Sequence, residues 1–190
     1  MKIILVGGTP GTGKTQIAKA LGAMLNSDVV GLGEIAERKK CIREYDADRE
    51  TSVIDEDCLV DAIIELLEER DDNLIIEGHY IDLVPSGFVE RVFILRTHPV
   101  ALKARLAERK YSSEKITENI ESEVFGVCQM DAIDAFGEEN VFEVDTTDLS
   151  TDDVLEEIKA MMDSNDPPTR FDWMEELEEE GRLQEFVPDA

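Results

Sequence analysis

Near the start of the chain the octapeptide Gly8-Thr9-Pro10-Gly11-Thr12-Gly13-Lys14-Thr15 follows an apolar run and opens a helical period, and few folds can hold it. It satisfies GxxxxGK[ST] in full. Glycines at these intervals allow a tight turn whose backbone N–H groups point inward at an anion. A helix beginning near Gly13 adds the positive end of its dipole to the same place. Lys14 supplies a point charge to the β- and γ-phosphates of a nucleotide, and the Thr15 hydroxyl can ligate magnesium. Ile3-Ile4-Leu5-Val6 is apolar without alternation, as a strand buried on both faces requires. Strand, loop and helix in that order separate a nucleotide site from a chance glycine-rich turn.

Beyond the loop, short apolar runs alternate with longer helical periods. A helix is expected over about 14–25, with Ile17, Ala18, Leu21 and Leu25 at core spacing. Short strands are expected at 29–32, 74–76, 91–95 and 141–144. Asp55 reads as the N-cap of a helix carrying Leu59, Ile63, Leu66 and Leu67. Pro99 suits the first turn of a helix reaching about 109. One long helix is expected over 113–136, with Ile116, Ile120, Val124, Val127 and Ile133 on one side, and a closing helix over 152–162. About five strands joined by helices describe an α/β fold, a doubly wound parallel sheet in a three-layer sandwich of the P-loop NTPase type.

This domain is expected to span 1–163, with 164–190 a separate acidic extension. The extension holds Pro167-Pro168 and nine acids against two bases. Phe171, Met174 and Leu177, with Trp173, could form one apolar face of a short helix. Docking on the domain, binding a partner and remaining mobile are all open on the sequence.

Charge excludes some partners. The 45 acids against 19 bases leave a net −26, a surface that repels nucleic acid and anionic membranes unless bases cluster locally. Direct sequence-specific nucleic-acid binding is therefore not expected. Acids spread along the whole chain suit a high-salt interior; a basic partner protein is the competing reading. No apolar run approaches the roughly 18 residues of a membrane helix, and the N-terminus runs straight into the loop without a signal sequence, so a cytoplasmic location is expected. Cys41, Cys58 and Cys128 lie far apart, with no CxxC and two histidines in the chain, so reduced buried thiols are expected and a zinc site is not.

Phosphoryl transfer needs positioned cations and a metal. Glu77, which ends the run Leu74-Ile75-Ile76-Glu77, stands at the end of an interior strand, where it could hold magnesium through water alongside Thr15. His79, two residues on, could orient water or phosphate. Arg105 and Arg109 lie four apart on one helical face and suit a lid over the nucleotide. Read alone, each also has a bland interpretation: a turn acid, a structural histidine, a solvated helix with Glu–Arg pairs.

Several blocks in order resemble one family, the adenylate kinase isoenzyme 6 type in its archaeal branch. They are GTPGTGKT, GLGEIA near Gly31, IDED at 54–57, IIEGH at 75–79, VFILRTHP at 92–99, RLAERKY at 105–111, KITENIESE at 115–123 and EVDTT at 143–147. The match covers about 3–147. It implies transfer of the ATP γ-phosphoryl group to AMP or another nucleoside monophosphate, with slower ATPase activity. It also implies a role in 16S rRNA processing and 30S maturation, with the small-subunit ribosomal protein uS11 and the 30S pre-subunit as partners. Carried over, Gly11, Gly13, Lys14, Thr15 and Gln16 take the ATP phosphates, Arg109 is the lid arginine, and Glu77 and His79 serve metal and water. The monophosphate-binding segment would run over about 31–54 and the lid over about 108–118. Arg38, Lys39, Lys40 and Arg43 make the first of these basic, as a phosphorylated acceptor would require. Four positions depart from the family pattern. Gln16 replaces a hydroxyl residue, and Tyr111 stands where glycine is usual. Asp148 stands where some relatives carry a lysine near the adenine, and the acceptor-side arginine falls at Glu37 with Arg38 beside it.

Overall fold

Five parallel strands form the centre of the computed structural model, which describes residues 2–46, 51–164 and 166–187. β1 (Ile3–Gly7) lies in the middle of the order β2 (Asp28–Gly31), β5 (Leu74–Glu77), β1, β6 (Val89–Arg96), β7 (Val141–Asp145). The register sets Val6 beside Glu77 on one side and beside Phe93 on the other. The strand ends that carry Gly7, Glu77 and Arg96 therefore share one edge of the sheet, where open α/β folds bind ligands.

β1 has a pleat of period two with both faces covered. Ile3 and Leu5 face a core with Ile35, Ile63 and Phe136, contributed by α2 (Leu32–Lys39), α3 (Glu56–Glu68) and α6 (Val127–Phe136). Ile4 and Val6 face Ile17, Leu21, Val154 and Ile158 on α1 (Lys14–Leu25) and α7 (Thr151–Asp163). Helices, sheet and helices give the expected three layers. Asp55 caps α3, accepting from the amide of Cys58, and Pro99 opens α4 (Pro99–Glu108). Among the described residues no helix is long and apolar enough to cross a membrane.

Two expectations need correction, and the 31–54 segment gains detail that the sequence left blank. The single helix over 113–136 is two: α5 (Ser113–Val124) ends at Phe125, and Gly126 at φ 65° turns the chain into α6. Only a glycine enters that left-handed conformation freely, and the turn lets α5 pack on α4 while α6 underlies the sheet. The 31–54 segment contains, besides α2, an antiparallel hairpin of β3 (Ile42–Asp46) and β4 (Thr51–Ile54); its connection at 47–50 lies outside the described residues. Lastly, Cys41 and Cys58 are not free thiols but a disulfide, with Cα atoms 5.4 Å apart. The hairpin brings its own ends together, the amide of Asp55 donating to the carbonyl of Cys41 at 2.9 Å, so cysteines 17 residues apart become neighbours. Cys128 is free and buried, as expected.

The C-terminal extension, left open by the sequence, is docked. Trp173, Leu177, Phe186 and Val187 are buried. Leu177 and Phe186, from α8 (Trp173–Glu179) and α9 (Leu183–Phe186), join Leu102 and Leu106 of α4 and Ile120 and Val124 of α5 in a third apolar cluster.

Candidate functional site

The loop between β1 and α1 holds Gly11 at φ 101° and Gly13 at φ 99°, conformations that L side chains rarely adopt. Gly11 is constrained twice, because a Cβ there would lie 2.8 Å from Leu102 Cδ1 and 3.0 Å from Leu106 Cδ2. Around Gly13 the corresponding space is open, with nothing within 4 Å. The turn closes internally: the Thr9 carbonyl accepts from Thr12 Oγ1 at 2.9 Å and from the Thr12 amide at 3.3 Å.

Lys14 Nζ donates to the Thr9 carbonyl at 3.0 Å, which arches the side chain back over the loop. Burial holds its ammonium below the ordinary lysine range, and nearby Arg109 adds to that, while Glu77 and Glu123 pull the other way. A half-buried cation with one carbonyl partner is under-solvated, and an anion would relieve it.

Thr15, at the start of α1, donates from Oγ1 to Glu77 Oε1 at 3.0 Å. The pairing is set by the sheet, since β5 lies beside β1 and Glu77 is its last residue. On the far side Gly31 pairs with Glu77, and a Cβ on Gly31 would come within 3.2 Å of Glu77 Oε1. A hydroxyl and a carboxylate at this spacing, with oxygen donors alone, fit a hard cation such as magnesium.

His79 follows on the same strand end, Nδ1 3.3 Å from Cys128 Sγ on α6. Burial, reinforced by Lys14, pushes its pKa below the ordinary histidine value, so the imidazole is neutral near pH 7. Burial pushes the Cys128 thiol up to about 11, which keeps it protonated.

The two arginines of α4 take different positions. Arg109 caps the helix and borders two clefts of about 530 Å³ each, both also lined by Gly11 and Gly13. Arg105 borders the first of these, but its Nη2 donates to the carbonyls of Thr146 at 2.5 Å and Thr147 at 2.7 Å. It thus ties α4 to the loop that follows β7. Gln16 Nε2 donates to Thr151 Oγ1 at 2.5 Å at the start of α7, so the residue after the loop threonine bridges two helices beside the same cleft. In the 31–54 segment, Lys39 is paired with Glu65 and Arg43 with Asp55 at the surface.

Sequence reasoning missed Thr97 and Thr146 as individual residues. Thr146 Oγ1 lies 2.8 Å from Thr97 Oγ1 and 3.1 Å from the carbonyl of Thr12, joining the ends of β6 and β7 to the phosphate loop. The EVDTT block marked the right place, but a buried threonine hydroxyl has no periodicity to betray it.

A family model described as an AAA domain matches residues 4–126. A protein of Pyrococcus abyssi named "Putative adenylate kinase" is 40% identical over 162 residues, covering 85% of this chain and 84% of that one. A protein of the same name from Methanocaldococcus jannaschii is 32% identical over 173 residues, covering 90% and 93%. Among solved structures, shikimate kinase from Bacteroides thetaiotaomicron superposes with a TM-score of 0.59 at 16% identity, over 85% of this chain and 98% of that one. Shikimate kinase from Acinetobacter baumannii in complex with shikimate gives 0.59 at 19%, over 86% and 93%. At such identities the superpositions speak to the fold, a P-loop kinase sandwich. The sequence matches go further, and the chain belongs to this archaeal family of P-loop nucleoside monophosphate kinases.

Proposed function

We propose that this protein transfers the γ-phosphoryl group of ATP to a nucleoside monophosphate, with AMP as the preferred acceptor, as the name carried by its relatives suggests. The observation that supports this most is the juxtaposition of Lys14, the Thr15–Glu77 pair and Arg109 around one phosphate loop. The backbone of Gly8, Gly11, Thr12 and Gly13 receives the phosphates, with Lys14 as the point charge between β and γ. The Thr15 hydroxyl, and Glu77 through water, would hold magnesium, which supplies charge neutralisation across the transferring group. Arg109 meets the charge that develops on the equatorial oxygens, and Arg105 acts by fixing the loop that follows β7 at the edge of the site. The acceptor phosphate attacks in line, and no covalent enzyme intermediate is needed. Gly31 and α2, next to Glu77, begin the acceptor segment.

A second activity, slower ATP hydrolysis, is favoured by one feature: a neutral histidine, His79, beside the loop and able to orient water. With the acidic surface, that feature suits an ATP-driven assembly factor gripping a basic ribosomal protein such as uS11, in maturation of the 30S subunit.

A coupled assay of the purified protein with Mg-ATP, with and without AMP and then with each other monophosphate, separates the two. AMP-dependent ADP formation supports the kinase and ranks its acceptors. Hydrolysis indifferent to every monophosphate, above all if a basic ribosomal protein stimulates it, would move the assignment to the assembly ATPase.

A further inference from the structure

The docked extension lies behind the phosphate site, and its contacts lead there by two routes. The polar route begins at Trp173, whose Nε1 donates to Glu123 Oε1 at 3.2 Å. The same oxygen accepts from Arg96 Nε at 3.0 Å and from the amide of Thr97 at 2.9 Å. Thr97 meets Thr146, and Thr146 meets the Thr12 carbonyl in the loop itself. Arg96, a fully buried cation at the end of β6, also binds Glu143 Oε2 at 2.8 Å and the carbonyl of Phe171 at 3.3 Å. Phe171 returns its amide to that Glu143 oxygen at 3.1 Å. Buried charges that share donors in this way hold one geometry, because any displacement strands a desolvated group.

The apolar route runs through α4. Leu102 and Leu106 touch the position above Gly11 with one side of their side chains, and with the rest they pack among Leu177, Phe186 and Val187 of the extension. Helix α4 is held between the phosphate loop and the extension, and it carries both Arg105 and Arg109.

We propose that residues 170–187 are a positioning element of the nucleotide site: through Trp173–Glu123–Thr97 and through Leu177 against α4, they set the loop and its two arginines in their binding geometry. The inference rests on the reading of the loop as an ATP site. By reciprocity, ATP must tighten the seat of the extension as much as the extension tightens ATP.

The chain has a single tryptophan, and it is Trp173, so its emission reports the seat directly. Titrating wild-type protein with ATP and magnesium, by calorimetry and by tryptophan emission, tests both directions. Trp173→Phe keeps a ring and removes the Nε1–H, Leu177→Ala removes the apolar contact, and Met174→Ala, at an exposed position of the same helix, is the control. Expected are a shift of Trp173 emission on ATP binding, ATP affinity weakened about fivefold or more in Trp173→Phe and Leu177→Ala, and no change in Met174→Ala. In turnover the KM for ATP should rise while that for the acceptor stays. Urea midpoints, together with ATP titrations made well below the melting temperature, separate loss of seating from loss of fold. If the wild type binds no ATP, the reading of the loop fails. If it binds ATP and both folded variants match it, the loop reading stands and the positioning role is overturned.

Discussion

Glu123 offers a quantitative test of how the interior is held together. It lies in α5, 2% exposed, with Arg96 1% exposed against it. Removing one partner of such a pair leaves an uncompensated buried charge, which costs about 3–5 kcal/mol. In Glu123→Ala the amide of Thr97 and the Trp173 Nε1–H also lose their acceptor, each worth about 1–3 kcal/mol if left dry. These costs overlap, and Arg96 retains Glu143 at 2.8 Å and Gln129 at 2.6 Å, so a total of about 3–5 kcal/mol is the figure to expect. For a chain of this length that lowers Tm by about 2–4 °C per kcal/mol, or roughly 6–20 °C in all. Glu123→Gln keeps an acceptor oxygen and should lie between Ala and wild type. Urea unfolding followed by circular dichroism gives the comparison, with equal m-values required before midpoints are converted. A Glu123→Ala variant melting within about 2 °C of wild type would mean that the guanidinium is not dependent on this carboxylate, and the argument would fail.

Lys14→Met should abolish phosphoryl transfer and ATP hydrolysis yet raise the melting temperature of the ligand-free protein. The lowered lysine pKa means that the ammonium is disfavoured in the folded state at every pH below its folded value, so removing it stabilises; full turnover in the variant would remove the role given to the loop. His79→Ala should reduce hydrolysis more than AMP phosphorylation, and equal losses would make the residue structural. Because burial lowers the His79 pKa, its neutral form should persist in the folded protein below about pH 6.5, where the unfolded chain already takes up a proton. Its contribution to stability is therefore present above that pH and lost as pH falls through and below it, and the midpoint difference between wild type and His79→Phe should change across that window. Reduction of the Cys41–Cys58 disulfide, or Cys41→Ser with Cys58→Ser, should cost about 3 kcal/mol on chain-entropy grounds for a loop of this size. Thiol titration of the unreduced, unfolded chain should find one reactive group, Cys128; three would contradict the disulfide.

What the sequence determined by itself is local. The strand–loop–helix at 3–25 was legible because glycine spacing, a following lysine and an apolar run state their geometry within a few residues. The caps at Asp55 and Pro99 were legible for the same reason, as were Glu77 and the layered sheet, since burial on both faces leaves its mark in composition. Tertiary structure alone decided what depends on residues far apart. Gly126 breaks a helix whose apolar stripe looked continuous, because α5 must turn away to meet α4 and the extension. Cys41 and Cys58 become bonded only after the hairpin folds back. Arg105, paired with Arg109 by spacing, is drawn to the carbonyls of Thr146 and Thr147, which no local pattern places within reach. The acidic tail, whose docking the sequence left open, docks because Phe171 accepts from the buried Arg96 and Trp173 lies against that guanidinium and donates to its partner Glu123. Periodicity records which faces are buried, and the partners of buried polar groups are chosen by packing.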